Sequence, residues 1–498
     1  MRIPRLVKQF VIRAGAMFTV KMIGLVGRVI LTRIVGAEGI GLYQIAYSFF
    51  GFILMLTSGF PTTLAIATAR SPFESWGFYK KISPALVLCC GLLSLSIFKN
   101  STGIARLLSN PELEYAIRSI ALSLFAVPLL GLLRGYLQGQ KQIGIIALSE
   151  IVEQSFRFVF MLLFVAGFLS LGVERAIGYG LYGTFMGAFI SFVMLTVFIA
   201  INRTGDSNDM HMKPVLTMSW FLKSSLAISS TRIFIPLSEF VDAFLVPNRL
   251  AAAGYNTSEA TAIYGVIYGM GVLVVYAPTL FTGAMNHILT GHIAAEWLKG
   301  NLKKFTEICN TALSACWLWG VVSGLYLFMY ADELSYYIFN TDSASPVIKF
   351  LAPIPLIVGF REISTNILWV QDIRDRPFFG LLSGIVCSII VQYFLVAIPG
   401  FGYEGAAIAI LVLELSASFW NMKALYSKGF ILRGITRPLL YDLIFGIFIL
   451  FVSVAWFRHS ENIMNLWRFI YITMLYFIVS GIYVYFRCIR KLLKQPSL

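Results

Sequence analysis

The sequence predicts an all-α polytopic membrane protein of fourteen transmembrane helices with both termini inside, on three observations. Across 498 residues the chain is 58% hydrophobic and only 13% charged, with mean hydropathy +0.80. That leaves too little polar surface for a soluble protein of this size. Apolar runs of about 20 residues recur from end to end, the length a helix needs to cross a bilayer. Short alternating strands of a transmembrane barrel are not apparent, and lipid favours helices because they bond their own backbone. The third observation is charge placement. With the N-terminus inside, the inner segments hold about 24 Lys and Arg and the outer ones about six (Arg33, Lys99, Arg106, Arg175, Arg249, Arg458), as the positive-inside rule requires.

The expected spans are 10–34, 43–69, 82–98, 114–134, 145–169, 177–201, 217–246, 261–289, 307–330, 347–370, 378–398, 405–427, 439–457 and 467–487. The basic start MRIPRLVKQFVIR leads straight into the first of these, which is expected to remain as an anchor. Four echoes in matching order divide the spans into two halves. PLLGLLR (128–134) and PLIVGFR (355–361) each place Arg six residues after Pro, and LGVERAI (171–177) pairs with FGYEGAA (401–407). YQIAY (43–47) and YGVIY (264–268) both precede a Pro-Thr, and Lys21 and Arg28 align with Arg232 and Glu239 at one offset. The expected organisation is a six-helix lobe over 1–210, a second over 211–430, and helices 13 and 14 with a basic cytoplasmic tail over 431–498. Two lobes around a central cavity are a transporter architecture, with substrate bound near mid-membrane.

Charged residues within spans are functional candidates because they must face a cavity or a partner. Lys21 and Arg28, seven residues apart, stack on one face of the first helix, roughly 10 Å apart along its axis. Arg232, Glu239 and Asp242 are expected on one broad face of the seventh span, with Pro236 favouring a kink between them. The cations suit an anionic group, since a guanidinium can grip phosphate with two parallel bonds. Glu239 and Asp242 could position those cations or carry a coupling ion; a salt-bridge network between the two spans is the structural alternative. By position alone, Arg33 lies near the outer interface and can snorkel there. A secondary polar cluster comprises Arg134, Gln138, Glu153, Arg157 and Arg361. Glu153 and Arg157 have the acid-first i, i+4 order of a helical ion pair, and Arg361 with Glu362 is read as a comparable pair.

Enzyme chemistry finds little support. HILTGHIAAE (287–296) is not HExxH, GxxxxGK[ST] does not occur, and the glycines of GAEGIGLY do not follow a strand. Those glycines fit a tight outer turn and close helix packing. The six cysteines form no CxxC pair, so neither a metal nor a cofactor is expected. The formal charge of +15 is explained by inner loops, so nucleic acid is not an expected partner. A membrane-embedded transferase would need a placed general base, which these short loops offer little room for.

KMIGLVGRVILTRIVGAEGIGLY (21–43), SGFPTTLAIATA (58–69), LLRGYLQGQ (132–140), EIVEQSFR (150–157) and EFVDAFLVPNRL (239–250) together resemble the stage V sporulation protein B and polysaccharide exporter family. That family belongs to the multidrug/oligosaccharidyl-lipid/polysaccharide (MOP) flippase superfamily and is related to the lipid II flippases. The resemblance covers essentially the whole chain. It implies two six-helix bundles about a cavity, two extra C-terminal helices, and a multi-pass protein of the bacterial cell membrane. It also implies an undecaprenyl-pyrophosphate-linked saccharide as substrate, flipped to the outer leaflet for peptidoglycan, including spore cortex, or another envelope polymer. Membrane-bound cell-wall synthases become candidate partners. Lys21 and Arg33 each fit the cation-x2-Gly spacing of the related flippases, which brings Arg33 into the substrate-binding set. Arg28 is displaced by one residue from the family pattern. A cation-coupled multidrug antiporter of the same superfamily is the alternative, for which an acidic site would be expected instead.

Overall fold

The computed structural model describes residues 5–70, 75–202, 217–427, 436–458 and 466–489. The inner segments 203–216 and 428–435, and the basic tail from 490, lie outside the described residues. Every described element is helical, and ten helical stretches are long and apolar enough to cross a membrane by length and composition. Contacts divide the chain into two units, Met1–Ala251 with Tyr255–Gly265, and Ala252–Gly254 with Val266–Leu498.

In the first unit, α1 (Arg5–Met55) is followed by α2 (Gly59–Arg70), α3 (Ser75–Lys99) and the short α4 (Ser101–Leu107). Next come α5 (Leu113–Gly139), α6 (Ile143–Phe168), α7 (Val173–Asn202), α8 (Met218–Arg232), α9 (Phe234–Ala252) and α10 (Thr257–Tyr264). The helix α1 is two helices joined at one residue, Gly36, with φ 70° and ψ −167°. A side chain strongly disfavours that conformation, so glycine sets the break. The outer turn expected over GAEGIG is therefore a single residue, and helix resumes at Ala37. Close packing does follow: a Cβ at Gly41 would lie 2.1 Å from the Thr261 carbonyl oxygen. The apolar core runs through α2, α3, α5, α7 and α8, centred on Leu64, Phe78, Leu130, Tyr136 and Phe221.

A π-helical turn, Gly265–Gly271, leads into the second unit. It holds α11 (Val272–Val275), α12 (Thr279–Leu298), α13 (Leu302–Met329), α14 (Ala331–Phe339) and α15 (Ser345–Leu351). It continues through α16 (Ile354–Val370), α17 (Asp375–Leu395), α18 (Gly402–Ser427), α19 (Thr436–Arg458) and α20 (Leu466–Val484). Its inner helices are buried on Tyr326, Tyr330, Phe305 and Cys316. In the terminal pair, Tyr483 of α20 stacks on Phe445 of α19 at 3.8 Å, and Arg487 lies 3.5 Å from the buried Asp442.

The sequence echoes have structural counterparts in each unit. A turn over Leu56–Ser58 precedes Pro61-Thr62, and one over Tyr276–Pro278 precedes Thr279. Gly172 (φ 112°) leads into α7 and Gly400 (φ 77°) stands just before α18. Glu174 and Glu404 then occupy the first turns of those helices, where the helix dipole favours a negative charge.

Candidate anion-binding site

The cations expected to meet substrate all lie in the first unit. Lys21 is exposed and Arg28 half-buried, on an uninterrupted stretch of α1. Their seven-residue spacing keeps them on one face. Arg33, exposed and three residues before the Gly36 break, is five residues beyond Arg28. At 3.6 residues per turn it points about 140° away. The three cations thus cannot converge from α1 as one row. Facing Arg28 electrostatically is Glu239 of α9.

The seventh expected span is interrupted. The regular hydrogen bonding pauses at Ile233, whose backbone stays in the right-handed helical region, between the end of α8 at Arg232 and the start of α9 at Phe234. Pro236 has no N–H for the Arg232 carbonyl four residues back, and its ring crowds that carbonyl. The expected common face of Arg232, Glu239 and Asp242 spans this interruption. Arg232 ends α8, while Glu239 and Asp242 share α9. Glu239 is exposed, whereas Asp242 is only 7% exposed and lies within electrostatic reach of Tyr264. Arg232 Nη1 donates to the Ser58 carbonyl at 3.0 Å and to Thr62 Oγ1 at 3.1 Å.

The residues of the secondary cluster have partners different from those the spacing suggests. Arg157 is 5% exposed and donates to Tyr47 Oη at 2.7 Å and Tyr43 Oη at 2.8 Å. Its guanidinium also lies 4.5 Å from the Tyr47 ring centroid. Glu153 pairs not with Arg157 but with Arg134, at 2.7 Å, and Arg134 Nε donates to Ser149 at 2.9 Å. Glu150 pairs with Arg13 at 2.5 Å. A helical face sets which residues look the same way, but neighbouring helices offered these side chains better-aligned partners. Gln138 is exposed at the end of α5.

Glycines position this cluster, and their ladder was legible but unread. Gly131, Gly135 and Gly139 repeat every fourth residue on α5, a close-packing pattern in membrane helices. A Cβ at Gly135 would meet the Pro61 carbonyl oxygen of α2 at 2.2 Å, and one at Gly139 the Ala65 carbonyl oxygen at 2.6 Å. On α7, Gly183 and Gly187 admit the carbonyls of Arg157 and Glu153 in the same way.

In the second unit, Arg361 binds Glu414 of α18 through Nε at 2.5 Å, not the adjacent Glu362. Consecutive helical residues point about 100° apart and do not face each other. Tyr276 Oη donates to the same Glu414 at 3.0 Å. Asn366 reaches Asn286 at 2.7 Å and Thr290 at 2.6 Å, and Asn421 reaches Thr365 at 2.8 Å. Among the described residues no His, Cys, Asp and Glu group is arranged to hold a metal.

Residues 6–285 match the family model described as polysaccharide biosynthesis protein, more than half of the chain. The chain belongs to the polysaccharide biosynthesis protein family. This family member is 26% identical over 410 residues to stage V sporulation protein B of Bacillus subtilis (strain 168), covering 80% of the chain and 79% of the relative. It is 22% identical over 425 residues to lipid II flippase MurJ of the same organism, covering 77% and 76%. Its fold matches a solved lipid II flippase MurJ, in an inward closed conformation, with TM-score 0.70 at 15% identity, over 97% of this chain and 100% of that one. An inward-facing multidrug resistance MATE family transporter of the MOP superfamily matches with TM-score 0.69 at 13% identity, over 82% and 95%. The family member is therefore a helical, multi-pass bacterial membrane protein with the fold of these solved transporters. The named relatives are transporters and flippases rather than enzymes.

Proposed function

We propose that this protein is a flippase that moves an undecaprenyl-pyrophosphate-linked saccharide from the inner to the outer leaflet by alternating access. The observation that carries this reading is the set of intramembrane cations, Lys21, Arg28 and Arg232, against few carboxylates. Such a site attracts a pyrophosphate and repels a cationic drug. Arg33 extends the set toward the outer side. Glu239, within electrostatic reach of Arg28, holds that cation in place, and buried Asp242 is the candidate for a coupling ion. The membrane potential, about 2.3 kcal/mol per charge per 100 mV, is an available driving force. Fourteen spans with both termini inside complete the topology. Similarity to stage V sporulation protein B supports a spore-cortex polymer as the destination, with membrane-bound cell-wall synthases using the product.

The test is flipping of a fluorescent prenyl-pyrophosphate saccharide in proteoliposomes. Lys21→Ala combined with Arg28→Ala should abolish flipping while the protein stays folded and inserted. Normal flipping by that variant would sink the assignment. Efflux of cationic drugs from a pump-deficient strain, undiminished by the same substitutions, would favour the antiporter instead.

A further inference from the structure

Two helix breaks in the first unit are stitched to one another. At the Leu56–Ser58 turn, the last carbonyls of α1 and the first amides of α2 have no regular helical partners. The Thr57 and Ser58 hydroxyls turn back onto the Leu54 and Met55 carbonyls at 2.9 and 2.8 Å. The Leu56, Thr57, Ser58 and Phe60 amides bond three residues back, and α8 meets two further groups. Ser229 Oγ accepts the Gly59 N–H at 2.9 Å, and Arg232 Nη1 donates to the Ser58 carbonyl and the Thr62 hydroxyl. Contact is close enough that a Cβ at Gly59 would lie 1.9 Å from the Ser225 carbonyl oxygen. Arg232 is also the last helical residue before the Ile233 break, where Pro236 leaves its carbonyl without the usual bond.

The chemistry of this junction is lopsided. Arg232 is exposed, and it spends one nitrogen on two neutral oxygen acceptors. A guanidinium has five N–H donors in a planar fork. Bonds to an ionised phosphate oxygen are roughly twice as strong as neutral ones, and a fork can make two at once. A pyrophosphate reaching this side chain competes with Ser58 and Thr62 for it.

We propose that Arg232 is a positioning residue that latches the α1–α2 turn to the end of α8, and that it exchanges Ser58 and Thr62 for a pyrophosphate, freeing both breaks to move. The proposal rests on the flippase reading for the identity of the anion. It adds to that reading a means by which substrate arrival releases a specific pair of helix breaks.

The experiment is hydrogen–deuterium exchange of the full-length protein in nanodiscs, read by mass spectrometry over residues 54–62 and 229–237, with inorganic pyrophosphate as probe. Binding is titrated in parallel. In the unsubstituted protein, saturating pyrophosphate should raise exchange in both segments about tenfold, as expected for a local opening. Arg232→Gln should show raised exchange without pyrophosphate and no further rise with it. Thr62→Val, which keeps the arginine and removes one competing acceptor, should lower the half-effective pyrophosphate concentration several-fold. Wild-type protection in Arg232→Gln would overturn the latch. So would an equal response to pyrophosphate with and without Arg232. Pyrophosphate that binds without loosening either segment overturns the latch but leaves the flippase reading standing. Failure to bind pyrophosphate at all removes both.

Discussion

The two units solve the same problem, a guanidinium buried among membrane helices, in different ways. In the second, Arg361 meets Glu414 directly, Tyr276 shares that carboxylate, and Glu362 also lies within electrostatic reach of the guanidinium. The result is a closed knot in which carboxylates answer the cation. In the first, Arg13 pairs with Glu150 and Arg134 with Glu153, while Arg157 is met by tyrosine hydroxyls. The same unit carries Lys21, Arg28, Arg33 and Arg232, against which α9 sets Glu239 and Asp242. The shared Pro-x5-Arg signal builds the same kind of ion pair in both units, Arg134 with Glu153 and Arg361 with Glu414, and the difference lies in Arg157, a further guanidinium met by hydroxyls.

The contrast is most easily broken at Arg361. Arg361→Met leaves the buried Glu414 charge without its partner and should cost about 3–5 kcal/mol. Arg157→Met strands only two neutral hydroxyls and should cost less, about 1–3 kcal/mol. Thermal unfolding of both variants in one detergent checks the order, and adding Glu414→Met to Arg361→Met should recover most of the loss. Equal losses would mean that the two knots are equivalent. Next in size is Gly135→Ala, whose new methyl meets the Pro61 carbonyl and should destabilise by about 1–3 kcal/mol through overpacking. The same assay reads it, and an unchanged melting temperature would show that α2 and α5 separate freely.

The smallest effect concerns an exposed pair outside the spans. Lys349 lies 2.8 Å from Asp332, and its hydrogen bond, with that from Ser345, holds the Asp332 carboxyl below its usual range. A depressed folded pKa means the ionised form stabilises. Its contribution is present above the ordinary aspartate value, about 3.9, and is lost as pH falls through the lower folded value. Solvent screening keeps the effect small. Asp332→Asn should lower the melting temperature slightly at pH 6 and leave it unchanged once the pH lies below the depressed folded value. A difference that persists in acid would assign the stabilisation to packing.

Much of the helical fold was legible because hydropathy and helix length write themselves into one dimension. The expected spans fall largely on helix in the described residues, of which ten stretches are long and apolar enough to cross a membrane. Break points were only half legible. Pro236 announced an interruption, which comes from the Arg232 carbonyl that the proline leaves without its helical bond. GAEGIG looked like a turn because of its glycines, yet only Gly36 takes a left-handed φ; Gly39 and Gly41 sit in helix. Side-chain partners were the least legible. Periodicity paired Glu153 with Arg157 and adjacency paired Arg361 with Glu362. The actual partners come from neighbouring helices, whose rotation about their own axes a linear sequence does not state. The glycine ladder of α5 was the available clue to one such contact.

The central claim is that the cations of the first unit receive a prenyl-pyrophosphate headgroup. Native mass spectrometry of the protein purified from its own membrane tests it most directly. A prenyl-pyrophosphate saccharide should co-purify, and Lys21→Ala with Arg28→Ala should lose it while retaining ordinary phospholipids. Equal retention by the variant, or a cationic organic molecule in its place, would contradict the account.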